Sequence, residues 1–167
     1  MFWVVGGGLS AGWDDFSAIC ELKYRYAAGI DTRDWDLYRS IFTDRVTIDF
    51  SSYHGRAPST MAADEWVRGV QPLFSGLAAT QHSMTNPRVE VTGDRARLVM
   101  YMQAEHVLDH DDPTAWYTLG GFYTDAAVRT GAGWRISAVT LTVLWRRGRP
   151  EIMQQAVSAQ QNRPADA

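Results

Sequence analysis

The stretch RARLVMYMQAEHVL, residues 95–108, decides the fold. Ala96, Leu98, Met100, Met102, Ala104, His106 and Leu108 fall on alternate positions, while Arg97, Gln103 and Glu105 fall between them. Successive side chains of an extended chain point to opposite faces, so this period places the apolar set on one face of a strand. Upstream, Gly93-Asp94 turns back into a strand over Thr80–Val91, bent at Asn86-Pro87 because the residue before proline is restricted. Downstream, the polar turn Asp109–Pro113 leads to a strand over Trp116–Arg129. Gly131-Ala132-Gly133 then leads to a last strand over Trp134–Trp145. Gly120-Gly121 predicts a bulge or sharp bend in the third of these four strands.

The first half reads as helical. Phe16, Ile19, Cys20, Tyr24 and Ala27 form a helical stripe over Asp14–Gly29, with Gly29 as the stop. Asp31 follows in a short loop, and Asp34 caps a second helix that buries Tyr38, Ile41 and Phe42. Arg45–Ser52 alternates as a strand, a loop carries Gly55 and Pro58, and a helix over Ala62–Gln71 buries Trp66, Val67 and Val70. Helices first and hairpin-linked strands afterwards predict an α+β fold, a curved antiparallel sheet with helices on its concave face. A pocket between the two layers is the expected ligand site. The expected division is an arm over 1–12, one domain over 13–150, and a C-terminal helix or frayed tail over 151–167.

Composition narrows the function. The net charge is −3, and the one basic cluster, Arg146, Arg147 and Arg149, reads as a solvated face, so no nucleic-acid partner is expected. The apolar start lacks a basic region and is too short to span a membrane, so no membrane partner is expected either. The single cysteine, Cys20, lies in an apolar stripe and reads as structural, which suits a reducing cytoplasm. No Cys/His spacing suggests zinc, and neither metal nor other cofactor is expected.

Three residues carry the candidate chemistry. His106 shares its strand face with apolar residues and points into the core or cavity; a buried, satisfied histidine is the bland alternative. His82 shares its face with Thr80, Met84 and Asn86. Asp31 alone would be a turn aspartate, but a carboxylate beside a histidine fixes its tautomer and stabilises the imidazolium. Tyr24, Tyr53, Tyr101, Tyr117 and Tyr123 are the candidate hydroxyl donors to a substrate carbonyl, Tyr53 first among them. His54 and His110 fall in polar loops and read as exposed.

The segments Tyr26-Ala27-Ala28-Gly29-Ile30-Asp31, Asp34-Trp35-Asp36 and Thr47-Ile48-Asp49-Phe50 resemble the opening of scytalone dehydratase and its relatives. Trp66-Val67, Thr80-Gln81-His82, the strand reaching His106 and Gly133-Trp134-Arg135 follow in the same order. The chain thus resembles the SnoaL-like branch of the nuclear transport factor 2-like superfamily over roughly residues 13 to 147. The resemblance implies a cone-shaped α+β barrel and metal-free dehydratase chemistry on an aspartate–histidine pair, matched here by Asp31 and His82, with His106 as second histidine. The dehydratase's two water-holding tyrosines fall at Ile30 and Phe50, and an asparagine falls near Tyr123, which argues against scytalone as substrate. Bile-acid 7α-dehydratase, a relative with a steroid substrate, has a similar pair.

The expectation is therefore a cofactor-free dehydratase-type lyase acting on a hydrophobic polycyclic or polyketide-like molecule. Catalysis would fall to Asp31, His82, His106 and Tyr53. Tyr24, Phe50, Trp66, Phe74, Met84, Met102, Leu119 and Tyr123 would contact substrate, within a wider apolar lining that includes Met100, Phe122 and Leu144. Isomerisation or cyclisation in the same pocket, or a non-catalytic binding or dimerisation module, are the alternatives. Val99, Tyr101, Val139, Leu141 and Val143 would form an apolar outer sheet face that joins copies into a homodimer or homotrimer.

Overall fold

The computed structural model describes residues 12–161, so the expected arm lies almost wholly outside the described residues. Two helices open the chain, α1 (Trp13–Thr32) and α2 (Trp35–Ser40), followed by β1 (Phe42–Asp49). The short α3 (Ser51–His54) and β2 (Ser59–Ala62) occupy the stretch expected to be loop, and α4 (Ala63–Ser75) follows. Four long strands complete the sheet: β3 (Ala79–Thr92), β4 (Arg95–Val107), β5 (Trp116–Thr130) and β6 (Gly133–Gly148). Helix α5 (Ile152–Gln161) ends the described chain.

The strands form one curved, open sheet in the order β2-β1-β6-β5-β4-β3. The β3–β6 meander is antiparallel, as the turn spacing requires. β1 departs from the all-antiparallel expectation. It lies parallel to β6, pairing Ile48 with Val139, because a long crossover rather than a hairpin separates the two strands.

Close packing overrides two local signals. Helix α1 runs through Gly29 to Thr32 and ends where Arg33 takes a left-handed conformation, φ 62°. A Cβ at Gly29 would strike the backbone of Tyr38, so this glycine permits α1 and α2 to approach and does not stop the helix. Asp31 consequently sits in the last turn of a helix, not in a loop. Asp34 caps α2 as expected, accepting a hydrogen bond from the Leu37 amide at 2.9 Å.

The second override is in β6. The pairing of Ala126 with Ala138 and of Ala127 with Ile136 leaves Ser137 as an extra residue, and the pairing around Gly120-Gly121 leaves Leu144 as another. Each bulge shifts the strand's parity by one. Trp134 and Ile136 face inward, and past the bulge so do Val139 and Leu141, which are buried. The expected outer face is corrected accordingly: Val139 and Leu141 belong to the core, Val143 packs against it, and Tyr101 is exposed. α5 is a docked helix over Ile152–Gln161, with Ile152 and Ala156 fully buried and Gly76 against the Ala156 backbone.

Candidate active site

Asp31 and His82 meet where the end of α1 crosses β3. The carboxylate lies 2.7 Å from His82 Nδ1 through Oδ1, and its Oδ2 accepts the His82 backbone N–H at 2.7 Å. The Thr80 hydroxyl donates to Oδ1 at 3.0 Å, and Arg33 donates in turn to Thr80 Oγ1 at 2.8 Å. A carboxylate at a helix C-terminus faces the negative end of the dipole, so it needs these donors. Burial raises the Asp31 pKa, but the His82 ring, the His82 amide and Thr80 overcome that and hold it below the ordinary carboxylate value. An ionised carboxylate only accepts, so the hydrogen shared across this contact sits on His82 Nδ1.

His106 enters from β4, opposite Tyr117 on β5. Its Nδ1 lies 3.1 Å from the Tyr117 carbonyl oxygen, which can only accept, so this nitrogen also holds the proton. Burial, followed by repulsion from His82, pushes the His106 pKa down to about 4. The ring is therefore neutral at pH 7 and presents a bare Nε2. The two imidazoles stand 5.8 Å apart between centroids at 84°, with the Phe74 ring 5.9 Å from His82 and 6.2 Å from His106.

Both histidines line a cavity of about 320 Å³ between the sheet and helices α1–α5. Phe50, Trp66, Phe74, Met102, Leu119 and Tyr123 line it as expected, and so does Tyr53, half-buried beside the Arg146 guanidinium. Asp31 is not on the wall but behind His82, where it orients the ring. Two residues expected to contact substrate lie off this wall. Tyr24 is 46% exposed because the helical phase of α1 turns Tyr26 and Ala27 inward instead. Met84 pairs with Met102 but packs at the margin of the core, off the cavity wall. In the wider lining, Met100 is buried core, Leu144 is the exposed bulge residue, and Phe122 stacks edge-on against Tyr101. His110 is exposed; His54 is also exposed, but it sits at the cavity mouth in α3 and not in a loop.

One group of site residues has no counterpart in the sequence reading. Tyr26 and Tyr38 join Tyr123 on the cavity wall. Behind them Lys23 Nζ meets Asp125 Oδ2 at 2.9 Å, with side chains 0% and 1% exposed. The signal was available: Lys23 falls in the Ile19–Lys23–Tyr26–Ile30 stripe, and Asp125 is in phase with Tyr123 and Ala127. Among the described residues, no group of three or more His, Cys, Asp or Glu side chains converges as a metal site. No helix among them is long and apolar enough to cross a membrane.

Comparison with known proteins agrees with this architecture. The family described as the SnoaL-like domain matches residues 13–140. A dehydratase from Pestalotiopsis microspora is 31% identical over 84 residues, covering 48% of this chain and 53% of its own, so the match spans about half the length of that relative. A Kribbella flavida protein of known structure is 34% identical, with 84% of this chain and 97% of that one covered and a TM-score of 0.80. A candidate dehydratase of the NTF2-like family from Streptomyces avermitilis shares the fold at 15% identity and TM-score 0.67, covering 79% of this chain and 98% of that one.

Proposed function

Because the chain belongs to the SnoaL-like domain family, within the NTF2-like fold, we propose that it is a cofactor-free acid–base enzyme of the dehydratase type. The observation that carries this reading is the His82 ring, whose Nδ1 is held 2.7 Å from the Asp31 carboxylate and whose side chain lines the cavity. The apolar and aromatic wall suits a hydrophobic polycyclic or polyketide-like hydroxy-ketone. His82 Nε2 takes a proton from the carbon next to the carbonyl. The C–H electron pair becomes the new C=C bond as the C–O bond breaks, and the proton on His82 passes to the departing hydroxyl, which leaves as water. Asp31 stays ionised throughout and stabilises the imidazolium. Neutral His106 accepts a hydrogen bond from the substrate hydroxyl and so orients it. Tyr53 at the mouth and Tyr123 on the wall are the hydroxyls available to the carbonyl oxygen as charge develops there.

The test is a screen of polycyclic hydroxy-ketones for products lighter by one water, run with wild type and His82→Ala. The variant is expected to lose about 10²–10⁴-fold in turnover while folding normally. Near-normal turnover in the variant would remove His82 from the mechanism. Isomerisation or cyclisation is the second reading. It is favoured by one observation: His106 is neutral at pH 7 and supplies no separate acid. Products of unchanged mass would select it. The same proposal includes self-association through the outer face carrying Tyr101, Trp116, Leu144 and Trp145, read by light scattering.

A further inference from the structure

The two ends of the cavity differ in charge. His82 and His106 are buried and form the inner end, whereas His54 and Arg56, on the same lining, are exposed and form the mouth. Among the described residues of this lining there is no aspartate or glutamate, and Arg56 is the one with a permanent charge. No hydrogen bond or ion pair engages its guanidinium among the described residues. A guanidinium presents several N–H donors in a fixed fork that matches a carboxylate, so an unengaged one at the rim of an apolar cavity selects for an anion on the ligand.

The rim that carries Arg56 is fixed to the sheet. The Val143 amide donates to Ser52 Oγ at 2.8 Å, and Arg146 donates to the Ser52 and Tyr53 carbonyl oxygens at 3.1 and 2.8 Å, which ties α3 to β6. Gly55 ends α3 with φ 76°, a left-handed turn that glycine adopts without steric cost. This turn brings the Arg56 amide onto His54 Nδ1 at 3.1 Å. A ring nitrogen that accepts an N–H bears no hydrogen, so the His54 hydrogen is on Nε2, a second donor at the mouth. The Arg146 guanidinium, 5.2 Å from the Tyr53 ring centroid, adds positive charge beside it. Asp49, the acid that senses the His54 ring, is engaged by the Ser51 hydroxyl and amide at 2.6 and 3.0 Å and lies off the lining.

We propose that Arg56 and His54 bind the carboxylate of an amphipathic ligand whose ring body fills the cavity. The ligand class is thereby narrowed to polycyclic or aromatic carboxylic acids. Because Arg56 is at the mouth and His82 is inside, the acid lies at the end of the molecule away from the reacting carbon. The carboxylate keeps its contact with water there, so it escapes the desolvation cost of a fully buried anion. Arg56 and His54 determine specificity and take no part in proton transfer. The proposal rests on the cavity as the substrate site, but it is tested by binding, which does not require His82 to act as a base.

The probes are 2-naphthoate, which is ionised at pH 7, and 2-naphthamide, a neutral compound of the same shape, each titrated into the protein by calorimetry. Wild type is expected to bind the acid about fivefold more tightly than the amide, the scale of a solvent-exposed ion pair. High salt is expected to shrink that preference. Arg56→Gln removes the charge and is expected to bring the two affinities together; His54→Ala is expected to reduce the preference by less. His82→Ala is expected to keep it, so loss of turnover and loss of acid recognition are read separately. Equal affinity for the two probes in wild type, or no binding of either, would overturn the site. A preference kept in Arg56→Gln and lost in His82→Ala would place the acid at the inner end and overturn the orientation.

Discussion

His106 shows how one buried side chain sets both chemistry and stability. Its pKa of about 4 in the fold lies below the 6.5 of an ordinary histidine, chiefly because burial penalises the charged ring. Between those two values the unfolded chain binds a proton that the folded chain refuses, so stability rises with pH across the window. Acidification through it removes about 1.4 kcal/mol per pH unit. The melting temperature is therefore expected to fall as pH is lowered from 7 to 5, and the fall to be shallower in His106→Gln. Equal slopes in the two proteins would contradict the assignment. At this scale much of the site was legible. The strict alternation around His106 placed it inward, and the resemblance paired Asp31 with His82. Tyr24 and Met84 were not legible, because parity and helical phase say which way a residue faces but not how far the cavity extends.

Among the elements, the tie between α1 and β5 depends on charge. Truncating Lys23 alone to Met leaves Asp125 buried without its partner and is expected to cost about 3–5 kcal/mol in chemical denaturation. The double variant Lys23→Met/Asp125→Leu is expected to recover most of that loss. Equal losses would mean that the damage is one of shape and not of charge. Gly29 makes a second test: Gly29→Ala forces a methyl group into the Tyr38 backbone, and an overpacking cost of about 1–3 kcal/mol is expected. A gain in stability from the better helix former would contradict the close approach. These elements also mark where sequence patterns fail. A glycine near a helix end signals either a stop or a close neighbour, and only the position of α2 decides between them. The bulges at Ser137 and Leu144 invert the parity of β6 without a local signature of their own, since the paired glycines that predicted irregularity lie on β5.

At the scale of the whole molecule, the curved sheet and the helices enclose a cavity in which a histidine held by a carboxylate shares the wall with tyrosine hydroxyls. The fold class was legible because four strands and their turns follow one another in sequence. The parallel β1–β6 pairing was not, since it depends on contacts across most of the chain. The role proposed for His82, held by Asp31, is to remove a proton from carbon in this cavity. It is tested most directly by the exchange of the α-protons of a polycyclic ketone such as 2-tetralone in deuterated water, followed by NMR with wild type and His82→Ala. Exchange is expected with wild type, and a loss of about 10²–10⁴-fold in the variant with an unchanged circular dichroism spectrum. Equal exchange in the two proteins would contradict it.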